Sequence, residues 1–356
     1  MSSYKSKTLK YEIIKGQILS MIESGVLKPG DKVPTEQELA DSFSVSVTTT
    51  RKALQDLARE GVIRRIKKKG TFVNFENEKP INDKMNIISF VLPLCEKSNN
   101  NLLQYVYGAQ EYLTSRGYSM IIEGTKDEVE LENTFIEQAV QKNLSGVLLF
   151  PTDPEQNVAS LLKLQRSHIP FVLIDRYPEN FPSNTVICNN FDGAFQSTKH
   201  LIQLGHEKIL FVTHVGTNQA EITRSNGYRQ AMKGHGLSDD FPILSCHQTD
   251  EILSKIQTEH FTAIVCANDY CALELSNFLS NKGISIPKDV SIIGFDGQKA
   301  TEYTTPPIST IIQPCFEIGK TAAKILVEHI ESPQKALEQA ILPVTLQLRS
   351  SSAVPR

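Results

Sequence analysis

Ser46-Val-Thr-Thr-Thr-Arg-Lys-Ala-Leu-Gln-Asp-Leu57 is the stretch from which the rest of the chain can be read. Thr50, Ala53, Leu54 and Leu57 recur at helical spacing and predict a buried stripe on a helix from Val47 to about Glu60, with Ser46 as its N-cap. The N-terminal half of that helix then presents Thr48, Thr49, Arg51, Lys52 and Gln55 outward. A helix of this kind, offering its first turns to base edges, is what helix-turn-helix proteins place in the major groove. Threonine meets bases or phosphates, and arginine and lysine supply phosphate contacts or guanine readout.

On the N-terminal side, Tyr11, Ile14, Ile18, Met21 and Ile22 predict an earlier helix that Gly25 ends, and Pro29-Gly30 turns the chain. Thr35 and Glu38 have capping-box spacing, so a second, short helix begins there and ends near Phe43. On the C-terminal side, Gly61 ends the third helix. Val62-Ile-Arg-Arg-Ile66 and Thr71-Phe-Val-Asn-Phe75 predict two strands joined by the turn Lys67-Lys-Lys-Gly70. Three lysines on a hairpin tip suit a phosphate or minor-groove contact, and equally a charged edge that keeps a small sheet from pairing. Coupled to the helices, the DNA reading prevails. Charge agrees with it: residues 1–75 carry 14 Lys and Arg against 8 Asp and Glu, whereas the whole chain is at −3.

This head resembles the GntR family of winged-helix regulators. The resemblance rests on Pro29-Gly30-Asp31, Pro34-Thr35-Glu36-Gln37-Glu38-Leu39, Ser46, Thr48, Arg51-Lys52-Ala53-Leu54, Leu57, Glu60-Gly61 and Lys69-Gly70-Thr71-Phe72-Val73. It implies a winged helix over residues 1–75 that binds double-stranded operator DNA. The DNA contacts then fall at Thr35, Glu36, Ser46, Thr48, Thr49, Arg51, Lys52, Lys67, Lys68, Lys69 and Gly70. Two positions depart from the family pattern. Val47 stands where an arginine is common, and Lys68 stands where the wing tip usually has its first glycine, so base preference cannot be carried over from relatives.

Glu76-Asn-Glu-Lys-Pro-Ile-Asn-Asp-Lys84 is polar and reads as a linker over residues 76–85. From residue 86 onward, apolar runs alternate with helical patterns, as in Ile87–Leu92, Gly146–Phe150, Phe171–Ile174, Lys208–Val212, Ala263–Ala267 and Val290–Gly294. That rhythm predicts βαβ units and parallel sheets, and the length predicts two lobes. Polar residues follow several strands: Asp175-Arg176, Asn268-Asp269, Asp296 and Gln313. Ligands of parallel sheets bind outside the carboxyl ends of strands. Carboxylate, guanidinium and amide groups there suit a polyhydroxylated ligand, although Asp175, Asp269 and Asp296 could each instead cap the next helix.

The body resembles the LacI-type effector domain and the periplasmic ribose-type sugar-binding proteins. The matching stretches include Ile169-Pro-Phe-Val-Leu-Ile-Asp-Arg176, Arg224-Ser-Asn-Gly-Tyr228, Gly283-Ile-Ser-Ile-Pro-Lys-Asp-Val-Ser-Ile-Ile-Gly-Phe-Asp296 and Pro307-Ile-Ser-Thr-Ile-Ile-Gln-Pro314. The resemblance implies two similar lobes over residues 86–356, with crossovers near Cys188, Ile312 and Pro333. The first lobe would then hold about 86–188 and 313–333, and the second about 189–312 and 334–356. It places effector contacts at Asp175, Arg176, Arg224, Asn268, Asp296 and Gln313, and more loosely at Asn99. The aromatic residues that relatives place in the first loop are replaced by Asn99-Asn-Asn-Leu-Leu103, so ring stacking either comes from Tyr105, Tyr177 or Phe295 or is weaker. A GntR-like head on this body resembles the arabinose-responsive repressors. It implies a homodimeric repressor with a small sugar effector, L-arabinose ahead of another pentose, a hexose or a nucleoside, acting as inducer or co-repressor.

Other classes find little support. GxSxG, Walker A and a GxGxxG after the first strand are all missing, so no enzyme is expected. His206, in a helix-to-strand turn, reads as structural. Cys266 and Cys271 enclose four residues with no matching Cys/His pair, so spacing predicts no metal or other cofactor. The N-terminus has no apolar core of a signal peptide, and no apolar run approaches ~18 residues, so a cytoplasmic protein is expected.

Overall fold

A computed structural model describes residues 10–59, 62–66, 69–74, 85–94, 101–214 and 218–356. The chain separates into two units, Met1–Lys84 and Met85–Arg356.

The first unit has three helices, α1 (Lys10–Glu23), α2 (Glu36–Phe43) and α3 (Val47–Arg59), followed by an antiparallel hairpin of β1 (Ile63–Ile66) and β2 (Gly70–Val73). The stripe on α3 is buried as its spacing requires: Thr50, Ala53, Leu54 and Leu57 are at most 1% exposed. Ala53, Leu54 and Leu57 pack with Ile14, Ile18, Val33 and Leu39. Each such leucine or isoleucine contributes about 1.5–3 kcal/mol on burial, which fixes the angle at which α3 is presented. The capping box at Thr35 and Glu38 is complete, with the Thr35 backbone N–H donating to Glu38 Oε2 at 2.7 Å. Gly70 sits at φ +122°, and a Cβ there would meet Lys32 Cε at 2.8 Å.

The second unit contains two six-stranded sheets. In chain order its elements are β3 (Met85–Leu92), α4 (Asn101–Ser115), β4 (Ser119–Gly124), α5 (Val129–Gln141), β5 (Leu144–Leu149), α6 (Val158–Arg166), β6 (Phe171–Ile174), β7 (Asn184–Cys188), α7 (Asn190–Gln203), β8 (Ile209–Thr213), α8 (Gln219–Gly234), β9 (Ile243–Ser245), α9 (Thr249–Thr258), β10 (Ala263–Cys266), α10 (Asp269–Asn281), β11 (Ser291–Asp296), β12 (Ser309–Ile312), α11 (Cys315–Glu331), β13 (Gln339–Leu342) and β14 (Thr345–Gln347). One sheet runs β13-β7-β6-β5-β3-β4 and is parallel throughout. The other runs β14-β12-β11-β10-β8-β9, with only β14 antiparallel. Strands buried on both faces, such as β5, β6, β8 and β10, are the continuous apolar runs of the sequence.

The chain passes between sheets three times. It leaves the first sheet after Cys188 and returns after Ile312, where the sequence places two crossovers. The third differs from expectation. The expected crossing near Pro333 lies within the first lobe, because β13 pairs with β7 from Gln339↔Thr185 to Leu342↔Cys188. The crossing falls between Leu342 and Thr345, so the first lobe keeps residues 334–342. Each lobe also brings two helices into backbone contact through glycine. A Cβ at Gly108 of α4 would lie 1.9 Å from the Phe316 carbonyl oxygen of α11, and one at Gly227 of α8 2.2 Å from that of Phe191 in α7.

Candidate functional site

On the first unit, the outward face of α3 is shaped by one carboxylate. Glu36 accepts from Arg51 Nε at 3.0 Å and from Arg65 Nη2 at 3.1 Å, so α2, α3 and β1 are tied at one point. Glu36 is one of the expected DNA contacts; in the structure its carboxylate holds two guanidinium groups. Arg51 remains 53% exposed on its side chain. Thr48 is exposed. Thr49 Oγ1 and Ser46 Oγ bond each other at 2.8 Å, and Ser46 Oγ also accepts from the Thr49 N–H. Lys52 is exposed, and its ammonium lies 4.1 Å from the centre of the Tyr11 ring on α1. Thr35 is exposed but spent on the capping box, and the bonds from Thr35 hold the Glu38 carboxyl below its usual range. Lys69 is exposed beside Gly70, whereas Lys67 and Lys68 lie outside the described residues.

In the second unit, Asp175, Arg176, Arg224, Asn268, Asp296 and Gln313 all line one cleft of about 780 Å³ between the lobes. That volume suits a small polar molecule with room for water. Asn99 lies outside the described residues. Asp175 follows β6 and Asp296 ends β11, both with positive φ, 65° and 116°. A non-glycine residue held this way costs of order 1–3 kcal/mol, a cost commonly found where a side chain must be aimed. Neither aspartate caps a helix. Asn268 does: its Oδ1 accepts the Cys271 N–H at 2.9 Å, and the cap leaves its amide nitrogen unused. Asp269, the next residue, is fully buried and accepts from Thr310 Oγ1 and the Gln298 N–H, each at 2.6 Å, which holds the loop after β11.

A polar chain runs across the cleft. Tyr105 Oη donates to Gln313 Oε1 at 3.3 Å, and Gln313 Nε2 donates to Asp296 Oδ1 at 2.7 Å. That same oxygen lies 3.4 Å from Arg224 Nη1. Arg224 Nε donates to Asn190 Oδ1 at 2.8 Å, and Nη1 to the Ala267 carbonyl at 2.5 Å. Burial pushes the Asp296 carboxyl up to about 6, against the pull of Arg224 and Gln313. On the other wall, Arg176 Nη1 donates to the Thr152 carbonyl at 2.9 Å, and Asp175 Oδ1 is buried without a hydrogen-bond partner among the described residues. A buried carboxylate oxygen left unsatisfied costs about 1–3 kcal/mol or more, so Asp175 favours a hydrogen-bond donor beside it.

Sequence reasoning missed Asn190, which grips Arg224, and Asn101, whose Nδ2 donates to the Asp296 carbonyl at 2.7 Å. Asn101 stands in the quoted run Asn99-Asn-Asn, where the lack of aromatics drew attention instead. Of the three stacking candidates, Tyr105 and Tyr177 line the cleft together with Phe150. Phe295 does not; it is 2% exposed and lies beneath Arg224, 3.7 Å from the guanidinium carbon. His206 is structural: its ring nitrogens meet Thr262 Oγ1 and the Ala353 carbonyl, each at 2.8 Å.

A winged helix-turn-helix with a basic reading helix, together with a two-lobed α/β body closing on a polar cleft, defines a ligand-responsive transcriptional regulator. Comparison with known proteins agrees at both ends. Residues 10–73 match the bacterial regulatory proteins of the gntR family, and residues 198–352 the periplasmic binding protein-like domain. The chain is 33% identical to the arabinose metabolism transcriptional repressor of Geobacillus stearothermophilus, covering 92% of this chain and 93% of that one. It is 29% identical to the protein of the same description from Halalkalibacterium halodurans, over 92% and 90%. A LacI family transcriptional regulator from Enterococcus faecium, solved with bound ribose, superposes with a TM-score of 0.65 at 26% identity, over 76% of this chain and 100% of that one. This chain belongs to the family of the arabinose metabolism transcriptional repressors, in which a GntR-type head is fused to a LacI-type effector domain. Among the described residues, no helix is long and apolar enough to cross a membrane.

Proposed function

We propose that the cleft binds a small neutral sugar, that the sugar is L-arabinose, and that its binding releases the protein from operator DNA. The observation that supports the reading is Asp175 Oδ1, buried and without a hydrogen-bond partner among the described residues, in a cleft lined by seven carboxylates and two guanidinium groups. That lining is acidic on balance. It suits a ligand whose hydroxyls each donate and accept, and disfavours one bearing phosphates. A sugar hydroxyl donates to Asp175 or Asp296, while Arg176 and Arg224 donate to its oxygens. The names of the full-length relatives and the ribose in the Enterococcus faecium structure support a sugar in general and arabinose in particular.

The contacts come from both lobes, so a bound sugar favours the arrangement in which the lobes close on it. A ligand shifts such an equilibrium by its differential affinity for the two states, and couplings of about 1–3 kcal/mol, or 5–150-fold, are typical. A homodimer would set two reading helices on two half-sites of a near-palindrome, with Arg51, Thr48 and the Lys69–Gly70 wing at the DNA. Titrating L-arabinose into operator-bound protein tests the proposal: DNA affinity falls as arabinose rises. Unchanged affinity at saturating arabinose overturns the ligand or the sign of the coupling. A thermal-shift screen of pentoses, hexoses and nucleosides then identifies any other effector, since a ligand selective for the folded state raises its stability.

A further inference from the structure

We propose that Cys246, His247 and Glu274 form a binding site for a zinc-class divalent cation on the second lobe. Cys246 and His247 are consecutive residues in the turn that leaves β9, and Glu274 is on the second turn of α10. The turn is set by Ser245, whose Oγ accepts the His247 N–H at 3.4 Å. Glu274 Oε2 lies 3.8 Å from Cys246 Sγ and 4.0 Å from His247 Nδ1, and the three ligand atoms all lie within 4.8 Å of one another. Tetrahedral zinc, with bonds of about 2.3 Å to sulfur and about 2.0–2.2 Å to nitrogen and oxygen, holds neighbouring ligand atoms about 3.4–3.6 Å apart. Closure therefore needs small movements, and the His247 side chain, 63% exposed, is free to make them.

The donor set selects the ion. Sulfur with imidazole and one carboxylate favours zinc-class metals over magnesium or calcium, which prefer oxygen throughout. On binding, the Cys246 S–H gives its proton to solvent and the thiolate coordinates, so one proton leaves per metal bound. Asn277, one turn beyond Glu274, lines the same shallow pocket and, with water, can fill the fourth position. A supporting partner is also present. Tyr270 Oη donates to Glu274 Oε1 at 2.6 Å, which leaves Oε2 directed at the other two ligands. Tyr270 and His214, whose rings meet at 4.9 Å, line the effector cleft, so the metal site would be one hydrogen bond from the cleft wall. Spacing could not reveal the set, because a Cys-His pair and a glutamate on a later helix have no sequence signature.

Cobalt titration of the full chain, followed by absorbance, tests the site, with zinc then displacing cobalt. The wild type develops a thiolate-to-cobalt charge-transfer band and four-coordinate visible bands at one equivalent. Cys246→Ser abolishes the charge-transfer band. Glu274→Gln, at a side chain 41% exposed, keeps the wild-type melting temperature and weakens cobalt and zinc at least tenfold. Tyr270→Phe weakens both by about 10–100-fold, the usual range for loss of a partner that orients a metal ligand. Absence of the band in folded wild type, its survival in Cys246→Ser, or equal affinity in wild type and Glu274→Gln overturns the proposal.

Discussion

The guanidinium carbon of Arg224 lies 3.7 Å from the centre of the Phe295 ring, and both side chains are buried, so the cation is seated on an aromatic face at the floor of the cleft. Asn190 and the Ala267 carbonyl hold two of its nitrogens, and Asp296 lies beside it. Such a cation is aimed before any ligand arrives. Arg224→Lys keeps the charge but loses the planar fork. Effector affinity, measured by calorimetry, is expected to fall at least tenfold, while operator binding by the ligand-free protein stays within about threefold. Wild-type effector affinity in this variant would remove Arg224 from the site.

Glu132 supports the opposite wall from behind. Its carboxylate accepts the Thr152 N–H at 2.7 Å and an N–H of Asn157, and the Thr152 carbonyl accepts from Arg176. Burial pushes the Glu132 carboxyl up to about 7, from an ordinary 4.5. A carboxyl raised on folding binds more protons in the native than in the unfolded state between these two values. Its contribution therefore lowers stability as pH climbs from about 4.5 to 7, and levels off above. Urea denaturation at pH 5 and pH 8 should show a smaller pH-dependent loss in Glu132→Gln than in the wild type, by about 1–3 kcal/mol. An identical loss in both proteins would mean that this carboxyl titrates normally.

Gly108 sets how closely α4 and α11 approach. With the Phe316 carbonyl 1.9 Å from where a Cβ would stand, no rotamer relieves the contact and the helices must separate. Gly108→Ala should destabilise the protein by at least about 1–3 kcal/mol in urea denaturation. It should also weaken the effector, because Asn101, Leu102 and Tyr105 reach the cleft from α4. Gly16, whose Cβ position is open, serves as the control: Gly16→Ala on α1 should be neutral or stabilising.

These positions divide by how much of their role a sequence can carry. The stripe Thr50, Ala53, Leu54 and Leu57 was legible because one periodicity states both the helix and its buried face. Asp175, Arg224, Asp296 and Gln313 were legible because they follow apolar runs or stand in stretches that resemble the family. Strand β13 was not legible. It lies at a sheet edge, alternates exposed and half-buried residues, and follows Pro333, where the chain reads as leaving the lobe. Asn190 and Asn101 are single amides without a period. Glu36 meets Arg51 and Arg65 across 15 and 29 positions, so only the folded head shows that one carboxylate governs two cations.

That clamp decides how the head should respond to substitution. Arg51 is presented on α3 with Glu36 on its Nε, and its side chain stays 53% exposed. A cation placed in this way at a duplex neutralises about one phosphate or reads one guanine. Arg51→Ala should weaken operator binding at least tenfold while leaving effector affinity unchanged. The two modes of contact separate by salt titration. If Arg51 meets phosphate, the slope of log K against log salt falls by about one and all sequences lose affinity alike; if it reads a base, discrimination at one operator position collapses. Glu36→Gln is the sharper case. It removes a negative charge beside Arg51 but also releases Arg51 and Arg65 from their shared anchor. Binding to random-sequence DNA should strengthen, because repulsion of the phosphates is lost. The ratio of operator to random-sequence affinity should fall, because orientation is lost. Parallel fluorescence-anisotropy titrations on operator and scrambled duplexes measure both, and an unchanged ratio would mean that Glu36 does not orient the reading arginine.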